Sequence, residues 1–582
     1  MSILVNFVIT RACSAACIAM SALLLALPAT ALDIGDRVGN FRLMDHNGSS
    51  HHLYYFSDKQ AVVLLSQDNR CATSATAAQQ MSSLADKYDG NVQFFMINSS
   101  LYDNRQSIRA AAAKLDVDTP ILLDEAQLVG RTLQLSRAGE ALVINPQGWK
   151  LTYRGDTGTT LDETLAALTQ GKTAQPGSGQ VAGCPIDYPD LDGTQVSYAD
   201  TIAPILADNC VNCHREGGIG PWAMTDYNMI RGFAPMIREV LLTKRMPPWH
   251  ADPEVGHWSN DRSMSTEELQ ALISWIDAGS PRGTGLDPLQ DALTANAAWG
   301  ELGEPDLIID IPPTDVPATG VVDYKYKYVK NPLDRDVWVR ASQIRPGDRA
   351  VLHHVITRYG RIETEGRRKG RISRTGPTGG LAGYVPGAEA RPLPTGTGSF
   401  LPADATIEFQ MHYTTAGKAT TDHSQIGIYF HEEPPEHQIR SMILANPRLK
   451  IPPHAKAHAE TAMREFKKDA IIYSILPHAH YRGKAARLEA IYPDGSTETL
   501  LNVPNYDFNW QTSYLLQTPK FMPAGTRIVY TNWWDNSAQN PANPDPTREV
   551  PWGRQSWDEM IFGAISYRDA EEADGEHLAG SE

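Results

Sequence analysis

The residues with the most chemistry in this chain are histidine, cysteine and methionine. Cys210-Val211-Asn212-Cys213-His214 sets an imidazole beside two closely spaced thiols. Thiols at that spacing can add to the two vinyl groups of a haem and leave the imidazole to ligate iron. The same pair could instead form a disulfide or part of a structural zinc site. Six further residues are scattered over the second half. His353 and His354 are adjacent, and His412 sits in Gln410-Met411-His412-Tyr413. His478 and His480 are one residue apart, and Met560 follows Asp558-Glu559. Alternation along a strand puts His478 and His480 on one face. Imidazole suits copper, and a thioether favours Cu(I). The pattern therefore suggests two copper ions, one held by three histidines and one by His478, His480 and Met560. Each short motif recurs by chance, so only their combination carries weight. His423, His431, His437, His454 and His458 lie nearby without a motif and read as ordinary polar residues.

In this order, from about 300 to 568, the pieces resemble the copper type II ascorbate-dependent monooxygenases, the family of peptidylglycine alpha-hydroxylating and dopamine beta-monooxygenases. They are the histidine pair, Q-x-H-Y, H-x-H with Gly483-Lys484 after it, and D-E-M. The resemblance implies two tandem all-β jelly-roll sandwiches, at 298–447 and 448–570. The first would hold an electron-transfer copper at His353, His354 and His412. The second would hold the oxygen-binding, catalytic copper at His478, His480 and Met560. The implied enzyme is a copper monooxygenase that hydroxylates a substrate C–H bond with O2. Its electrons would come from an external donor, ascorbate-like or a redox protein, and would enter through a fused haem c domain. Two departures stand out. No cysteine follows Cys213, so the disulfides of the animal enzymes are missing. Leu476 and Ala564 stand where the peptide enzyme grips its substrate carboxylate. Small-molecule and peptide substrates both stay open.

Residues 196–290 look like a small all-α cytochrome c domain. Met246, before Pro247-Pro248, stands where such domains place the sixth iron ligand. Met224, Met229, Met236, Met264, His250 and His257 compete with it. A His/Met pair raises the potential of a covalently bound haem c and suits electron transfer. Residues 32–170 look like the thioredoxin/peroxiredoxin superfamily, an α/β domain. Cys71 opens a helix after a strand, where the helix end lowers a thiol pKa. Ser74 stands at the second position of C-x-x-C, and Gly139 near the usual late proline, so dithiol exchange within that motif is excluded. A Cys71–Cys184 disulfide stays open, because sequence cannot show pairing. Two other readings follow: a thiol peroxidase-like protein using Cys71, and a non-catalytic periplasmic electron-transfer or copper-handling protein.

The elements that must position these groups show in the periodicity. Ala61–Leu65, Val92–Ile97 and Ala141–Ile144 read as strands, Ala72–Tyr88 and Ser107–Leu115 as helices, and Asn145-Pro146-Gln147-Gly148 as a hairpin turn. Residues 171–195, rich in Gly, Gln, Ser, Thr and Pro near their start, read as a flexible linker. Ser265 and Glu268 form a capping box ahead of a helix to Ala278. From about 298, short alternating runs take over: Val337–Ala341, Ile407–Tyr413, Ile426–Phe430, Ile471–Leu476, Ala486–Tyr492 and Ile528–Trp533. That texture belongs to β-sandwiches. The chain thus reads as multidomain.

At 582 residues several domains are expected, at roughly 150 residues each. A net charge of −16 with no Lys/Arg-rich run argues against nucleic acid as a partner. Residues 1–31 read as a signal peptide: Arg11 is the only charge, Ile18–Pro28 is apolar, and Ala29-Thr30-Ala31 is a small-x-small cleavage pattern. The mature protein is then secreted or periplasmic, without a stable membrane span. The acidic segment 571–582 reads as a frayed tail.

Overall fold

The computed structural model describes residues 32–571, apart from 175–176, 217, 293–298, 366–368, 374–378 and 388–389. The expected signal peptide and nearly all of the acidic tail lie outside the described residues. Among the described residues, no helix is long and apolar enough to cross a membrane.

Ala61–Gln67 is buried along its whole length. Its residues alternate between two cores: Ala61, Val63 and Leu65 face one, while Val62 and Leu64 face the other. A strand apolar on both faces belongs at the centre of a covered sheet. It pairs in parallel with Val92–Asn98 and antiparallel with Ala141–Asn145. The whole sheet has eight strands. The helices Ala72–Lys87, Arg105–Leu115 and Thr159–Thr169 join its strands. The hairpin turn forms as the sequence predicts, with Gly148 at φ +89°.

The segment 171–195 is a docked strap rather than a free linker. Gly177–Ser178 adds a parallel edge strand to Lys150–Gly155. Farther on, Arg137 and Pro185 form an antiparallel bridge. Ala138 N donates to Cys184 O at 2.8 Å, and Ile186 N to Ser136 O at 3.0 Å. Composition suggests flexibility, but backbone pairing to an open edge supplies the missing enthalpy. A Cβ on Gly183 would run into the Ala138 carbonyl oxygen. Gly183→Ala should therefore push the strap off, costing about 1–3 kcal/mol as other overpacked sites do. Faster proteolysis between 171 and 195 checks this.

Residues 196–290 are helical, with Tyr227–Leu242 and Thr266–Asp277 as the long elements. The capping box at Ser265 is present. These helices are not a free-standing all-α cytochrome domain. Their core takes in Leu128 of the first unit. The segment after Tyr227–Leu242 leaves them, and Trp258 is buried in the core of the last sheets, with Trp249 and Ala251 packed against it. The core of these helices comes almost wholly from their own residues, Tyr198 to Leu289, with Leu128 added from the first unit.

From Leu307 on, the described residues hold strands and no helix. A three-stranded sheet containing Leu352–Gly360 and Thr406–Tyr413 shares one core with a five-stranded sheet containing Val337–Arg345 and Gln425–Phe430. A second pair of four-stranded sheets shares another core. Arg440–Ala445 pairs with Phe562–Asp569, so the second sheet pair already begins at Arg440. The first unit is clamped to these sheets: Arg105 Nη1 donates to Asp252 at 2.7 Å, and Asn502 Nδ2 donates to the same carboxylate at 2.9 Å.

Candidate functional site

Cys71 caps the helix Ala72–Lys87 at its N-terminus. Its sulfur is joined to Cys184, with Cα atoms 5.8 Å apart. The partner that C-x-x-C lacks therefore arrives from the strap, 113 residues away. The two sulfurs differ in access, since Cys71 is 2% exposed while Cys184 is exposed. The strap's backbone bonds hold Cys184 over the thiol, and Arg137 Nη1 adds a bond to Gly183 O at 2.7 Å.

The three-histidine set converges. His354 lies opposite His412 on the neighbouring strand, and the register shifts between Leu352 and His354. Adjacent strand residues ordinarily point to opposite faces. A bulge re-aims one of them, which lets His353 and His354 both face His412. Ring centroids lie 4.7 Å apart for His353 and His412, and 5.0 Å for His354 and His412. One donor atom from each of the three lies within 4.8 Å of the others. All three rings are buried. His353 Nε2 and His354 Nδ1 have no hydrogen-bond partner. Burial, then the neighbouring imidazoles, push His354 well below its ordinary pKa. Burial first pushes His353 to about 4 and His412 to about 3. The rings are therefore neutral, with lone pairs available to a metal.

His478 ends the strand Ala470–His478 and His480 follows two residues beyond it, with rings 5.1 Å apart. His478 Nδ1 meets Gln511 Oε1 at 2.7 Å, and His480 Nδ1 meets Asp558 O at 3.2 Å. Each acceptor fixes the proton on Nδ1 and leaves Nε2 to ligate. Burial pushes His478 to about 4 and His480 to about 3. Met560, half-buried, precedes the strand in which Phe562 pairs with His478. The fully buried Glu559 ties the pieces together. Its Oε2 accepts from His480 N at 2.9 Å and Met560 N at 3.4 Å, and its Oε1 accepts from Arg482 N at 2.6 Å. Burial pushes this carboxyl up to about 7. Sequence reading missed Gln511 and the clamp at Glu559. For Glu559 the signal was present as the middle residue of D-E-M.

Cys210 and Cys213 take no part in the disulfide and are half-buried. Burial pushes the Cys210 thiol up to about 12. His214 Nδ1 lies 3.1 Å from Trp222 O, so Nδ1–H donates and Nε2 is left for a ligand. Met246 is half-buried where the chain leaves the helices. The thioethers in the helical core are those of Met224, buried, and Met264, packed against it.

Residues 34–155 match the AhpC/TSA family. No curated protein matches the chain. Among solved structures, a hypothetical protein from Sinorhizobium meliloti 1021 is 20% identical, with TM-score 0.26, over 27% of this chain and 94% of that one. Peroxidoxin BcpB from Mycobacterium tuberculosis is 18% identical, with TM-score 0.21, over 24% and 95%. A secreted Mycobacterium tuberculosis disulfide oxidoreductase is 14% identical, with TM-score 0.17, over 19% and 79%. The thioredoxin-like nature of the first unit thus stands. The expected membership in the copper type II ascorbate-dependent monooxygenases, fused to a c-type cytochrome, does not. The family match points to thiol-based redox chemistry and not to a copper monooxygenase. The convergence of His353, His354 and His412 is a geometry that could hold a metal ion, and it does not by itself show a family.

Proposed function

We propose that the chain is an exported thiol-based redox protein whose working couple is Cys71 and Cys184. The observation that carries this reading is their disulfide, held by a docked strap beside the matched segment. A disulfide also suits an oxidising compartment. In reduction, a thiolate of an external dithiol attacks the exposed Cys184 sulfur. Cys71 leaves as a thiolate, stabilised by the helix N-terminus. The donor's second thiol then releases Cys184, and the donor departs as a disulfide. In oxidation, the Cys71 thiolate attacks a hydroperoxide, the O–O bond breaks and an alcohol leaves. Cys184 condenses with the resulting sulfenic acid, water leaves, and the disulfide reforms. Two electrons pass from dithiol to peroxide in each cycle. Hydroperoxide loss in the presence of dithiothreitol, beyond the uncatalysed rate, tests the reading. No such excess sinks it.

The orphaned imidazole nitrogens favour a second reading, that the sheet region holds redox metal as an electron carrier or copper-handling protein. His353, His354 and His412 would hold one copper, and His478, His480 and Met560 another. Copper there would supply one-electron exchange. Cys210 and Cys213 would hold a covalent haem through their thiols, and His214 would supply an imidazole; the group would add one-electron exchange. Metal analysis with an optical spectrum of the full chain tests both; protein without copper or haem absorbance overturns them.

A further inference from the structure

Cys71 is buried, although Cys184, joined to it, is exposed. What covers Cys71 is the backbone of the strap. Cys184 N donates to Cys71 Sγ at 3.1 Å. On either side of Cys184, Gly183 O is held by Arg137 and Ile186 N by Ser136 O. This roof is pinned at both ends. Upstream, Gly179 N donates to Arg154 O at 3.2 Å, beside the edge strand Gly177–Ser178. Downstream, the Tyr188 hydroxyl is buried in a slot over Gly130. A Cβ on Gly130 would stand 2.5 Å from that oxygen and 2.5 Å from Ser99 Oγ, so a side chain there would fill the slot. The fully buried Gln127 donates from Nε2 to Asp187 O at 2.8 Å. None of these bonds uses the Cys184 side chain, so reduction of the disulfide leaves them standing.

We propose that the strap is a size filter, admitting hydrogen peroxide to Cys71 and turning away hydroperoxides that carry a bulky organic group. This rests on the thiol reading above and names its substrate. A thiolate attacks one peroxide oxygen in line with the O–O bond, so the leaving oxygen and whatever it carries lie straight out from the sulfur. The free valence of reduced Cys71 points where the disulfide pointed, toward Cys184 and the backbone beside it. The exposed Cys184 side chain can turn out into solvent, but the pinned backbone from 183 to 188 cannot follow. Hydrogen peroxide needs room there for one further oxygen. The Cys71 thiolate bonds to one OH, the O–O bond breaks, and the leaving hydroxide takes a proton and departs as water. Sulfur gives up two electrons and becomes the sulfenic acid. A cumyl or fatty-acyl group would have to occupy the space that the strap backbone fills, and overlap in a packed site is strongly disfavoured.

The test is a single-turnover comparison on the pre-reduced full chain. Cys71 consumption is followed by mass spectrometry with hydrogen peroxide and with cumene hydroperoxide. Each rate is divided by that of dithiothreitol with the same peroxide, which removes the difference in intrinsic reactivity. The normalised rates of the wild type should favour hydrogen peroxide by about 100-fold or more, near the upper range of discrimination by fit. Tyr188→Ala, which empties the slot, and Gly183→Ala, which lifts the strap, should each cut that preference by about tenfold or more. Tyr188→Phe, which keeps the ring in the slot, should retain it. Lost stability alone would slow both peroxides alike and leave the preference in place. A wild type with no preference overturns the filter, and this arm needs no variant to fold. An unchanged preference in a folded Tyr188→Ala or Gly183→Ala protein overturns it too. A wild type whose Cys71 reacts with hydrogen peroxide no faster than dithiothreitol does overturns the thiol reading, and the filter with it.

Discussion

Cys71→Ser should abolish dithiol-dependent peroxide consumption, whereas Cys184→Ser should keep the first chemical step and lose turnover. The asymmetry follows from position. Cys71 sits at a helix N-terminus, whose dipole favours a thiolate at that end. Cys184 sits on the strap, where it can only resolve what Cys71 has formed. Losing the nucleophile should lower turnover by on the order of 10³ or more. Cys184→Ser should halt as a sulfenic acid at Cys71, trapped by dimedone and read by mass spectrometry at one adduct per chain. Either substitution also removes a long-loop crosslink, which should lower the stability of the first unit by about 2–5 kcal/mol. Reduced wild type should show the same loss in a urea titration. Unchanged turnover in Cys71→Ser would remove the thiol assignment outright.

His412→Ala should weaken metal binding at the three-histidine set by at least about 100-fold, because even an outer-shell partner is worth roughly 10–100-fold. His412 would be the ligand supplied by the second strand, and its ring is the neighbour of both others. The measurement is chelator competition on the full chain. One of two metals should be lost, while His478 and His480 keep theirs. His423→Ala, altering a histidine outside the set, should change nothing. Equal affinity in wild type and His412→Ala would show that the convergence of these rings does not hold a metal.

Much of this architecture is legible locally. Ala61–Gln67 reads as a buried strand because its first five residues, Ala61–Leu65, are all apolar, and the hairpin turn and the Ser265 capping box carry their geometry in a few adjacent residues. His478 and His480 read as a same-face pair because the strand period is two. The bulge that turns His353 toward His354 and His412 has no comparable local signal, since it depends on register with another strand. The strap's order has no local signal for the same reason. Its Gly, Gln and Ser content describes its own side chains, while its order comes from the edge it pairs with.

The sequence by itself determined the element types, the change from α/β to helical to sheet texture, and which side chains have lone pairs or thiols to offer. Those properties reside in one residue and its near neighbours. Only the tertiary structure decided which of them meet: Cys71 with Cys184, and Glu559 under His480 and Met560. Such meetings are set by sheet register and by how the packed units close on one another. Those are properties of the whole chain's burial, and no short motif contains them.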